Sequence, residues 1–71
     1  MKRIISNLQS QLDKIEDLVT RREDTYTSRS ESWQDSEKGA EYYNKTEEIQ
    51  EAAYFLTQSI EALEEIETYK T

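Results

Sequence analysis

The sequence has no cysteine, no histidine and no proline, and a single glycine among its 71 residues. Each absence removes a class of chemistry. Without cysteine there is no disulfide and no thiolate metal site, and without histidine neither a structural zinc site nor a Ser-His or Cys-His nucleophile pair can be assembled. No side chain is left with an ordinary pKa near neutrality. Without proline, and with Gly39 as the one residue of poorest non-proline helix propensity, little in the chain opposes long helices. No apolar run approaches the roughly 20 residues that span a bilayer. The opening Met1-Lys2-Arg3-Ile4-Ile5 passes at once into Ser6-Asn7. No secretion signal or membrane contact is therefore expected, and the protein is read as cytoplasmic.

What the chain does have is charge on a helical frame. Apolar residues make up 34% and charged residues 35%, with nine Lys and Arg against sixteen Asp and Glu, a net charge of -7. That balance lacks the Pro/Gly/Ser bias of a disordered linker. It describes one small domain, residues 1–71. A chain of roughly 70 residues buries only about 60% of its unfolded surface. With disulfide and metal excluded, self-association is the means of stabilisation that remains.

In the first half, Ile5, Leu8, Leu12, Ile15, Val19, Arg22, Tyr26, Arg29 and Trp33 recur at alternating steps of three and four. This is a heptad seam, with polar residues between its members and Leu18 widening it. It predicts a helix over about 3–28. The second half repeats the pattern through Tyr42, Thr46, Ile49, Ala53, Leu56, Ile60 and Leu63, with Ala52, Ile66 and Tyr69 beside the line. It predicts a helix over about 37–69, its outer faces rich in Glu. Between the two, Thr25 to Ser36 is crowded with Ser and Thr, which favour caps and turns over helix interiors. The spacing predicts a turn over about 29–36, reversing at Ser28-Arg29-Ser30. Ser30 would cap a short turn through Trp33, and Ser36 would cap the second long helix. Gly39 sits just inside that helix, where a close approach of backbone to a neighbour or a ligand would explain it.

So short a connection makes the helices antiparallel neighbours, and the fold class follows: an all-α, antiparallel two-helix hairpin. Two helices pack only one stripe each, leaving the outer half of the seam wet. Assembly into a four-helix bundle or higher homo-oligomer is the expected solution.

Arg22 and Arg29 occupy seam positions where Leu or Ile would be usual. A buried, unpaired guanidinium is costly, so each is expected to meet a carboxylate, solvent or an anionic ligand such as a phosphate. If the hairpin closes as predicted, Tyr26, Trp33, Tyr42 and Tyr43 gather with them at the turn end. Core packing is the plain reading of that group. A recognition surface is the sharper one, because Trp, Tyr and Arg dominate binding hot spots and nucleobase stacking. The candidate contacts to a ligand or partner are thus Arg22, Tyr26, Arg29, Trp33, Tyr42 and Tyr43. No catalytic, cofactor or metal residues are assigned, and the chain is read as not an enzyme.

Charge is uneven along the chain. Residues 1–35 carry six positive and seven negative groups, and residues 36–71 carry three positive and nine negative. The acidic half repels DNA and anionic membrane surfaces, which argues against direct nucleic-acid or membrane binding. The same glutamates could imitate a phosphate backbone, so an acidic DNA mimic is one alternative reading.

The stretch Arg29-Ser30-Glu31-Ser32-Trp33-Gln34-Asp35-Ser36-Glu37-Lys38-Gly39-Ala40-Glu41-Tyr42, followed by Lys45-Thr46-Glu47-Glu48-Ile49, resembles a largely uncharacterised group of small acidic helical-hairpin proteins of bacteriophages and mobile elements. Their shared run is R-S-E-x-W-Q-x-S-E-K-G-x-x-Y. The likeness covers about residues 20–66, and it implies a non-enzymatic accessory protein, cytoplasmic in the host bacterium, that binds or blocks a host protein, as in counter-defence. A second likeness, of size and class alone, is to oligomeric phage sponges that sequester cyclic nucleotides. It implies a small anionic ligand, and residue chemistry alone makes Arg22, Arg29, Tyr26 and the Tyr42-Tyr43 pair the candidates for phosphate and base contacts.

Overall fold

The computed structural model describes residues 1–69, with Tyr69 as backbone alone. The expected place of the Tyr69 side chain beside the seam therefore lies outside the described residues. The elements are α1 (Lys2–Ser28), α2 (Glu31–Gln34) and α3 (Glu37–Tyr69), and α1 packs along α3 as an antiparallel hairpin. At about 1.5 Å per residue the two long helices run roughly 40 and 50 Å. The molecule measures 56 × 15 × 11 Å. Its 16.4 Å radius of gyration compares with about 11 Å for a compact domain of this length.

α1 extends through the Ser/Thr-rich stretch because its hydroxyls turn back on their own helix. Thr25 Oγ1 donates to the Arg21 carbonyl, Thr27 Oγ1 to Glu23 and Ser28 Oγ to Thr25, at 2.9–3.0 Å. These residues add no cross-chain pull toward a turn. The helix stops at Ser28, and Arg29 and Ser30 are extended, with ψ of 160° and 156°. Ser30 then caps α2, its Oγ accepting from the Trp33 amide at 3.3 Å. Ser36 caps α3, accepting from the Gly39 amide at 3.2 Å while donating to the Trp33 carbonyl. Both caps are those expected from the sequence.

Gly39 is where the short helix and the long one touch. A Cβ there would stand 2.2 Å from the Trp33 carbonyl oxygen and 2.7 Å from that of Gln34. Only a residue without a side chain lets the backbones approach this closely.

The seams meet as predicted. Ile5, Val19, Ala53 and Ile60 are buried, and Leu8, Leu12, Ile15, Ile49, Leu56 and Leu63 half-buried. Among the described residues no large side chain is fully enclosed; Ile60, the best covered of the apolar ones, retains 4% exposure. Ile4, Leu18, Tyr54, Phe55 and Ile66 lie outside the seam and are exposed. At the open end Gln9 Nε2 donates to Glu64 Oε1 at 3.3 Å, and toward the turn Arg22 meets Thr46, which fixes the register.

One expectation about the seam is corrected. Arg29 does not continue it: α1 has already ended, and the extended backbone turns Arg29 out to solvent. Trp33, counted on the same stripe, is instead carried by α2 and folds back over the end of the hairpin.

Candidate functional site: an aromatic and arginine cluster at the turn

The turn end is built around Arg22. Its position on the seam would leave a guanidinium among apolar side chains, and α3 answers it with polar atoms at the same level. Nε donates to Thr46 Oγ1 at 2.9 Å, and Nη2 to the Tyr42 carbonyl at 3.2 Å. Thr46, 6% exposed, passes its own proton to that carbonyl at 3.0 Å. The guanidinium carbon lies 4.0 Å from the Tyr42 ring centroid, a stacked cation–π contact. A hydroxyl, a main-chain carbonyl and a ring thus take the place of the carboxylate that the sequence suggests. Among the described residues the one ion pair within 4 Å is Arg21–Asp17, which is exposed.

From Arg22 outward the rings form a connected series. Tyr43 lies 5.5 Å from Tyr26, Tyr26 lies 6.0 Å from Trp33, and Trp33 lies 5.7 Å from Tyr42, the last two contacts edge-on. Arg29, exposed, lays its guanidinium over Trp33 with the carbon 4.3 Å from the ring centroid. The structure therefore brings all six residues singled out in the sequence to one end of the molecule. Four are half-buried, and Arg29 and Tyr43 face solvent.

Glu47, one turn along α3, accepts a hydrogen bond from the Tyr43 hydroxyl. That bond, with the nearby carboxylate charge, holds the phenol above its ordinary value of 10.0.

Two residues that sequence reasoning left out complete the arrangement. Gln34 Nε2 donates to the carbonyls of Tyr26 and Arg29, both at 3.0 Å, so the last residue of α2 ties off the end of α1. Thr46 supplies the acceptor for Arg22. The signal for Thr46 was present: a polar residue in the second seam at the level that an antiparallel pairing gives Arg22 in the first.

Two hollows flank the cluster. An open groove of about 550 Å³ is lined by Arg22, Lys38, Glu41, Tyr42, Asn44, Lys45 and Glu48. It gathers three of the nine basic residues of an acidic chain. A smaller crevice of about 190 Å³ includes Tyr26, Tyr43 and Thr46 in its lining. No group of three or more acidic side chains placed to hold a metal ion occurs among the described residues.

Compared with models of known protein families, with curated proteins and with solved structures, the chain matches none. No helix among the described residues is long and apolar enough to cross a membrane.

Proposed function

We propose that the protein is a non-enzymatic, phage-type accessory protein that self-associates in the host cytoplasm and acts by binding and blocking a host protein through its turn end. The observation that carries this reading is the concentration of Tyr26, Trp33, Tyr42, Tyr43, Arg22 and Arg29 at one extremity, with Arg29 stacked on Trp33 at the surface. Aromatic rings held by ring neighbours offer large contact area with little left to lose in rotamer freedom on binding. The decisive experiment is capture of host proteins from a bacterial lysate on the immobilised protein. Arg29→Ala and Tyr43→Ala, both at exposed positions, should remove a partner that the parent captures, with helicity unchanged. Equal capture by the variants would refute the reading.

The groove beside Arg22 supports a second reading, sequestration of a small anionic ligand such as a cyclic nucleotide. Arg22, Lys38 and Lys45 supply the positive charge and Tyr42 a ring face for a base. Lys38→Ala and Lys45→Ala would then abolish a thermal shift produced by cyclic nucleotides. No shift with any nucleotide would exclude it.

A further inference from the structure

The stripe that faces α1 is not the only regular stripe on α3. A second one runs beside it through Ala52, Phe55, Ser59, Ala62 and Ile66, again at steps of three, four, three and four. Every member is exposed, Phe55 at 58% and Ile66 at 47%. On an isolated helix this repeat is the mark of a packing seam, and nothing in the hairpin covers it.

α1 shows a matching edge on the same side. A register midway between those of the Gln9–Glu64 and Arg22–Thr46 bonds sets Ile4 near the level of Ile66, Gln11 near Ser59 and Leu18 near Ala52. Ile4 and Leu18, both exposed, are fourteen residues apart and hence on one line of the helix. The hairpin therefore has one broad face carrying apolar residues from both helices. A face of 56 by 15 Å offers about 800 Å², what each partner gives to a standard interface.

We infer that this face is the dimer interface, and that its occupant is a second copy of the chain related by a two-fold axis parallel to the helices, so that α1 of each protomer lies on α3 of the other. Two face-to-face arrangements are open to a symmetric pair of hairpins, and charge decides between them. An axis across the helices would set α3 on α3. That helix carries nine glutamates against two lysines within Glu37–Tyr69. An axis along the helices sets α3 against α1, which carries five basic and five acidic groups. The outer edge of α1 on this side carries Lys14 and Arg21 beside Asp17 and Asp24, with Arg21 paired to Asp17, and the corresponding edge of α3 carries Glu48, Glu51 and Glu65 beside Lys45. The α1 edge, neutral in sum, faces the acidic α3 edge with less repulsion than a second acidic α3 edge would. The same symmetry keeps every residue at its own height. Leu18 of one protomer reaches Ala52 and Phe55 of its partner, and Ile4 reaches Ala62 and Ile66. Each large α1 side chain thus meets one small and one large residue of the partner's α3. Both turn ends then emerge on the same side, placing two aromatic clusters next to each other.

The inference rests on the self-association in the proposed function, and its test is independent of any host partner. Because the chain has no cysteine, Ser32→Cys on the exposed side of α2 carries a single spin label cleanly. The expected result is a mass of twice the 8.4 kDa chain, with a label separation of about 20–30 Å, the width of two packed pairs of helices. A monomer overturns the inference. So does a dimer with labels separated by about the 56 Å length of the hairpin. Phe55→Glu and Leu18→Glu should each raise the dimer dissociation constant at least tenfold; an unchanged constant for both also overturns it. A dimer that captures no host protein would refute the host-binding proposal alone, and a capturing monomer would refute self-association and this interface while leaving host binding standing.

Discussion

The open end of the hairpin and its turn end solve the same packing problem with different materials. At the open end Ile5, Leu8, Leu12 and Ile15 meet Leu56, Ile60 and Leu63, with the Gln9–Glu64 bond as the cross-helix hydrogen bond. At the turn end Arg22, Thr46, Tyr42, Tyr26, Gln34 and Trp33 join α1, α2 and α3 through directional contacts. Aliphatic contacts are non-directional, so a shift of one helix by a heptad exchanges one Leu or Ile for another at little cost. The Arg22–Thr46 pair has no second register in which its atoms are satisfied. The open end supplies adhesion, and the turn end supplies alignment.

Putting a charge into the adhesive half should have the largest effect. Leu12→Asp places a carboxylate in the aliphatic seam at a cost of several kcal/mol, comparable to the whole stability of a domain this small. The helical circular dichroism signal should collapse at 25 °C, and a folded hairpin would show that adhesion does not reside there. Gly39→Ala attacks the aligned half. The added methyl must push α3 away from the backbone of α2, at about 1–3 kcal/mol for an overpacked site, read as a lower denaturation midpoint. An unchanged midpoint would mean that α2 can move aside freely.

The comparison is sharpened by converting one end into the other. Thr46→Val removes the acceptor of Arg22 Nε and should cost about 1–2 kcal/mol. Adding Arg22→Leu to Thr46→Val should restore or exceed the parent stability, because an apolar pair replaces a polar one that needed partners. The double variant should nevertheless show doubled amide resonances from a second register. A single set of sharp peaks would deny the alignment role.

The smallest expected effect is one of pH. The Tyr43 phenol is held above its ordinary value by Glu47, so its contribution is fully present below pH 10 and is lost as pH rises through the raised value. Stability should decline above pH 10 more steeply in the parent than in Tyr43→Phe, measured by chemical denaturation. Parallel declines would dissociate Tyr43 from the effect.

What was legible in the sequence is what local chemistry determines. The two seams, the caps at Ser30 and Ser36 and the need for glycine at position 39 depend on residues within a few turns of each other. The gathering of four rings at the turn follows from hairpin closure alone. Arg29 was misplaced because a count in threes and fours continues past the end of a helix, and the extended backbone at Arg29 and Ser30 resets it. The partners of Arg22 depend on which α3 residues arrive at its level, a property of the pair of helices that neither shows by itself. The outer stripe from Ala52 to Ile66 is weaker than the inner one, built partly from Ala and Ser, and is overshadowed by it until exposure is known.

The single tryptophan of the chain is Trp33, inside the aligned half, with Tyr26 and Tyr42 at 6.0 and 5.7 Å from its ring. Intrinsic fluorescence from this protein is therefore a report from one extremity. Light absorbed by the two tyrosines passes to the indole more efficiently while the cluster stands than after it opens, whereas the amide circular dichroism is summed along both helices. Recorded together through a melt, the two signals separate the loosening of the turn from the loss of the helices, without any label being introduced.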